Sequence, residues 1–212
     1  RYPTTPMGSA SYIEVGWNAD QQNTRNSLLG FDLDAAGFPL NATIESATLQ
    51  VHQASSTGSV DTQTWNIHLQ DWDVQYATWV NRNGGSQWYQ GGALGNSDSG
   101  SKQDQQHVET NSNVVHFDIT QSVELAQYQQ LTTSNSRVGV LLTPGFGSES
   151  GVATFHSSES NQPSLRPVVD ITFRWSNPTL LSNNPAWIDI SPKLGSTDVD
   201  STLDFTSTIR SE

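Results

Sequence analysis

The chain has 212 residues, nine Lys and Arg against 21 Asp and Glu, a formal net charge of -12 and no cysteine. Binding to phosphate backbones or to anionic membrane surfaces needs a basic patch, and none is visible, so both partners are excluded. Without cysteine neither a disulfide nor a thiolate metal site can form, while seven Trp among 33% hydrophobic residues still provide the bulk of a packed core.

The opening stretch, RYPTTPMGSASYIEVG, carries no signal peptide and reads as an internal or processed piece of something longer. From there on, short period-two alternations recur between Gly, Asn, Ser and Pro clusters. They predict strands at 11–16 (SYIEVG), 27–33 (SLLGFDL), 43–53 (TIESATLQVHQ) and 64–70 (TWNIHLQ). In the third, Ala47, Leu49 and Val51 alternate with Thr48, Gln50 and His52, the inward–outward pattern of a half-buried antiparallel strand.

Next comes DWDVQYATWVNR (71–82), with Trp72 and Trp79 seven residues apart. A flat sugar platform needs exposed, coplanar rings. Here Val74, Tyr76, Ala77 and Val80 intersperse the two, which is the density of a buried corner between sheets. Burying an aromatic ring contributes on the order of 2 kcal/mol or more, so both tryptophans read as anchors of the fold. Between Asn81 and Asn113 lies a long glycine-rich connection with few apolar residues. Connections of that length in a compact domain are functional or disordered.

Strands return at 113–120 (NVVHFDIT), 137–143 (RVGVLLT), 152–158 (VATFHSS) and 166–175 (RPVVDITFRW). One helix interrupts them, at 120–131, with Thr120 as its cap and Val123, Leu125, Tyr128 and Leu131 as its apolar face. Eight such strands predict an all-β, antiparallel, two-sheet sandwich of jelly-roll type over residues 1–175. The longest apolar runs, such as VGVLL, are too short to span a bilayer. Residues 176–190 are proline-interrupted and read as a linker. A new alternation in 191–212 reads as the start of a following immunoglobulin-like module, or as a tail that docks elsewhere.

Several of these segments in order, LLGFDLD, ATIESATLQVH, DWDVQYATW, HFDIT and FHSSESNQPSLRPVVDITF, resemble the DNRLRE-type domain, the group that includes the family-96 carbohydrate-binding modules. The resemblance covers roughly residues 11–175. It implies a jelly-roll β-sandwich without catalysis, appended to extracellular or cell-surface proteins, some members binding acidic polysaccharides. Two departures stand out. The first strand of the family pattern is missing ahead of PMGSASYIEVG, and Asp73 and Val74 stand where the family has a glutamate two residues after the first Trp. A missing strand implies an open sheet edge, supplied by preceding sequence or by a neighbouring copy.

The candidate ligand-binding residues are Trp17, Arg25, Arg82, Trp88 and Tyr89, all placed in polar loops. Loop aromatics stack on pyranose faces, and the two arginines suit bidentate pairing with a uronate carboxylate. A chain of charge -12 repels a polyanion, so a neutral glycan is as good a ligand as an acidic one. The five histidines read as solvated strand-face residues, because zinc needs three or four converging ligands. No EF-hand loop is present; a structural calcium built from loop carbonyls and a carboxylate suits such a sandwich, with Glu159 in HSSES as its candidate. No nucleophile elbow, zinc-protease motif or cysteine nucleophile occurs, so the reading is not an enzyme. Two functions follow: a non-catalytic glycan-binding module of an extracellular multidomain protein, or a structural surface module that assembles with neighbouring copies by strand donation.

Overall fold

The computed structural model describes residues 4–18, 23–69, 71–133, 135–145, 150–175 and 203–210, with backbone alone for 175 and 203–210. In chain order the elements are β1 (Tyr12–Asn18), β2 (Asn23–Arg25), β3 (Ser27–Asp32), β4 (Thr43–Ser56), β5 (Val60–Ile67), β6 (Ser99–Val108), β7 (Val114–Asp118), α1 (Thr120–Thr133), β8 (Arg137–Pro144), β9 (Gly151–His156), β10 (Val168–Trp175) and β11 (Leu203–Arg210). They form two antiparallel sheets. One runs β11-β10-β4-β9-β1-β2 with β7 also against β4, and the other runs β3-β8-β5-β6.

The 14-residue β4 organises the larger sheet. Its residues 48–50 pair with both β10 and β7, so those two strands must lie along opposite edges of it. Its C-terminal end, Gln53 to Ser56, pairs with β9. Ala47, Leu49 and Val51 are buried as the alternation predicts, and Thr48, Gln50 and His52 face the other way. The inward residues of both sheets meet in one core. Val15, Leu49, Phe117, Phe155 and Ile171 of the larger sheet pack with Leu29, Phe31, Val138, Val140 and Leu142 of the smaller. This is the all-β antiparallel sandwich expected from sequence.

The smaller sheet is buried on its second face too. Leu28, Trp65, Ile67 and Leu141 belong to a separate cluster with Trp72 and Trp88. Burial on both faces explains the continuous apolar runs SLLGF and VGVLL, since a strand with no wet face has no reason to alternate.

Three departures have local causes. The connection between Asn81 and Asn113 contains a strand, β6, whose polar sequence SKQDQQHV hides it from a hydrophobicity pattern. The helix forms where expected, but its buried face is Ser122, Val123 and Ala126, while Tyr128 and Leu131 are exposed. Nor is Thr120 its cap. The Ile119 carbonyl takes the first helical N–H groups, from Ser122 and Val123. The Thr120 hydroxyl instead accepts the Ala47 N–H at 3.0 Å and donates to Asp118, tying the helix to β4.

Residues 203–210 add an edge strand to the larger sheet. The linker 176–190 and the remainder of 191–212 lie outside the described residues. Among the described residues no helix is long and apolar enough to cross a membrane.

Candidate functional site

Residues 71–98 fold over the outer face of the smaller sheet as a cap. Its underside is apolar: Trp72, Trp88 and Ala93 are each at most 5% exposed and pack on Ile67 and Leu141. Gly30 of β3 makes this possible, because a side chain there would come within 3.2 Å of the Trp72 ring. Arg137 lies 4.9 Å from the centre of the same ring and donates to the Trp72 carbonyl at 2.7 Å. Trp72 is therefore an anchor, but outside the sandwich rather than between its sheets, which corrects the corner expected from sequence. The Trp88 indole N–H donates to the Thr78 carbonyl at 3.0 Å. Its expected role as an exposed stacking ring is corrected as well: the ring plugs the cap onto the sheet.

Trp79 is half-buried, lying against Gly91 and Gly92. Any side chain on either glycine would meet the indole within 2.7 Å, and Gly92 has φ of 76°, a conformation glycine adopts at little cost. The Gly92 N–H donates to the Trp79 carbonyl at 2.7 Å, and Asn26 donates to the Gly92 carbonyl at 3.1 Å. The same stretch is pinned from beneath by Asp98, which is fully buried. Its carboxylate accepts the backbone N–H groups of Tyr89, Gln90 and Gly95, at 2.9, 2.9 and 3.1 Å. Nothing in GNSDS marks Asp98 in the sequence, since its partners are main-chain groups brought together only by the fold. Above this anchor Tyr89 stands 75% exposed, with Leu94 also exposed on the same turn.

The other expected ligand contacts are held by partners. Trp17 lies in β1 rather than in a loop, opposite Thr24 and Gly151, and is half-buried. Arg25 is paired with Glu14 at 2.7 Å. Arg82 donates through Nε to both oxygens of Asp71, at 2.8 and 3.0 Å, and through Nη1 to the Gln87 carbonyl. Each guanidinium group thus has a carboxylate partner within the chain.

His156 departs from the solvated histidines expected. It is 6% exposed, its Nδ1 is 2.9 Å from Ser160 Oγ, and its ring packs on Tyr12 at 5.2 Å. Burial, with His52 as a second cause, pushes its pKa below the usual imidazole value.

Among the described residues no three His, Asp or Glu side chains converge on a metal position. Glu159 is exposed, and the loop around it fits calcium poorly. The Ser160 carbonyl accepts from the Arg166 guanidinium at 3.1 Å, and the Ser157 carbonyl accepts the Ser160 N–H. A cation on one carbonyl and a donor on the other are the wrong surroundings for a hard divalent ion.

No family model matches the chain, and no curated protein matches it.

Proposed function

We propose that the chain is a non-catalytic carbohydrate-binding module of an extracellular or cell-surface protein, of the jelly-roll type that the DNRLRE resemblance implies. The observation that carries this reading is Tyr89, an aromatic ring 75% exposed on a turn whose backbone is fastened to buried Asp98. An exposed ring on a fixed backbone offers a flat apolar face at little entropic cost, which is what stacking on a pyranose requires. Trp79 is half-exposed and rests on Gly91 and Gly92, the residues just after Tyr89 and Gln90, so it supplies a second ring on the same cap. Exposed Gln87 and Gln90, on either side of Trp88 and Tyr89 in the chain, suit sugar hydroxyls.

The pairing of Arg25 with Glu14 and of Arg82 with Asp71 favours a neutral polysaccharide over an acidic one, because a uronate would have to compete with those carboxylates. Calcium at Glu159 is left out of the reading, because the Arg166 guanidinium already donates to the neighbouring Ser160 carbonyl. The test is a binding titration against neutral and uronate polysaccharides, with and without a chelator. Binding to a neutral polysaccharide that Tyr89→Ala weakens at least about tenfold, the ~1.4 kcal/mol of one stacked ring, supports it. Absence of binding to every polysaccharide overturns it.

A further inference from the structure

The strand β10 is paired on both sides, from Val168 to Arg174 with β4 and over its whole length with β11. On one side β4 takes it with a register shift between Thr172 and Phe173; on the other β11 takes it without interruption, from Val168 opposite Arg210 to Trp175 opposite Leu203. The two outer strands differ in how they are connected. Trp175 and Leu203 are register partners, yet residues 176–202 intervene. Adjacent antiparallel strands need only two to five connecting residues or so. A connection of 27 residues reaches at most about 90 Å when extended, far more than a return to its own sheet requires.

The alternation of LDFTSTIR is in phase with the edge it covers. The buried β10 residues Val169, Ile171 and Phe173 have Ile209, Ser207 and Phe205 as register partners. On the alternate positions Arg174 is opposite Asp204 and Asp170 opposite Thr208. A shift by one residue would set Asp204, Thr206 and Thr208 against the buried positions, so the edge selects both this segment and this register.

We propose that the outer edge of β10 is a strand-accepting site, and that residues 203–210 of a second copy of the chain occupy it in the register used by the chain's own β11. Intramolecular and intermolecular pairing then use identical contacts. The balance between them is set by protein concentration against the effective concentration of a strand tethered to its own sheet, which for linked binding segments is of about millimolar order. At dilution the chain closes on itself; at high concentration, or where copies are anchored side by side, strands exchange and link the copies.

The absence of cysteine makes a direct test clean. Full-length chains carrying Thr172→Cys alone are mixed with isotope-labelled full-length chains carrying Thr206→Cys alone, near millimolar concentration, and oxidised. A parallel mixture replaces the second variant by Arg210→Cys, four residues and about 13 Å out of register. Labelled–unlabelled disulfide dimers at least about tenfold more abundant for the in-register mixture, falling away on dilution, are the expected result. The double variant Thr172→Cys/Thr206→Cys closes a disulfide within one chain at micromolar concentration. Mixed dimers that are absent, or equally abundant in both mixtures, overturn the proposal, as does a double variant that fails to close. None of these readouts depends on a glycan, so failure here and failure of the binding reading are separate results.

Discussion

Trp88 hands its indole N–H to the Thr78 carbonyl and is buried at 5% exposure, while the next ring, Tyr89, is 75% exposed. One substitution at each position therefore separates stability from recognition. Trp88→Ala leaves a cavity beneath the cap and strands the Thr78 carbonyl; it should cost about 3–5 kcal/mol in denaturant unfolding. Tyr89→Ala removes an exposed ring and should change stability by less than about 0.5 kcal/mol, its effect appearing only in glycan binding. A Trp88→Ala chain as stable as the parent would mean that the cap is not fastened by that ring. His156 gives a prediction in pH. Its folded pKa lies below its unfolded value because the ring is desolvated and neighbours His52, so below about pH 6.5 the unfolded chain binds more protons than the folded one. Stability should hold above that pH and fall as the pH drops through it towards the folded pKa. His156→Gln should flatten this part of the profile, measured as midpoint denaturant concentration between pH 7.5 and 5. Asp32 acts lower on the scale. The Ser136 hydroxyl, then the N–H groups of Ala35 and Asp34, hold its carboxyl below the ordinary value against partial burial. Its contribution therefore goes as the pH falls below about 4.

At the level of elements, the cap 71–98 is a second, smaller core built on the outside of the sandwich, and Asp98 is the polar group that fixes its shape. Asp98→Ala leaves three N–H groups, one of them buried, without their acceptor. It should cost about 2–4 kcal/mol and raise amide exchange at Tyr89, Gln90 and Gly95 ahead of exchange in β4 and β8. Equal protection of those three amides in the variant would sink this account of the cap. The cap is also where the hydrophobic pattern of the sequence carries least information about the fold. Strands such as 43–53 were legible because a half-wet strand must alternate, and β4 does so at Ala47, Leu49 and Val51. β6 was not, because its residues 101–107 put polar side chains on both faces. In α1 the expected Val123 is buried, but its companions are Ser122 and Ala126, which carry little hydrophobicity, while the conspicuous Tyr128 and Leu131 face water. Trp72 and Trp88 are 16 residues apart in a polar stretch, and the outer faces of β3, β5 and β8 bring them into one cluster. Aromatic residues in the cap could be named from sequence, but which of them turns inward depends on a surface made by distant strands.

For the whole molecule the governing quantity is the charge of -12. Among the described arginines, 25, 82 and 174 are paired with carboxylates, and 137 and 166 donate to backbone carbonyls. An approaching polyanion therefore meets a net negative chain in which three of the described arginines already face carboxylates. That repulsion is long-ranged at low salt, where the Debye length is about 30 Å at 0.01 M, and short-ranged at 0.15 M, where it is about 8 Å. A neutral polysaccharide stacking on Tyr89 feels none of it. Affinity for a neutral ligand should thus be nearly independent of salt, whereas any affinity for a uronate polymer should rise as sodium chloride is raised from 0.01 to 0.15 M. A protein that recognises uronates through free arginines would show the opposite slope, losing affinity as salt is added. Titrating one neutral and one uronate polysaccharide across that range distinguishes the two. A falling slope for the uronate would return Arg25 and Arg82 to the binding surface and show that their pairs with Glu14 and Asp71 open on contact.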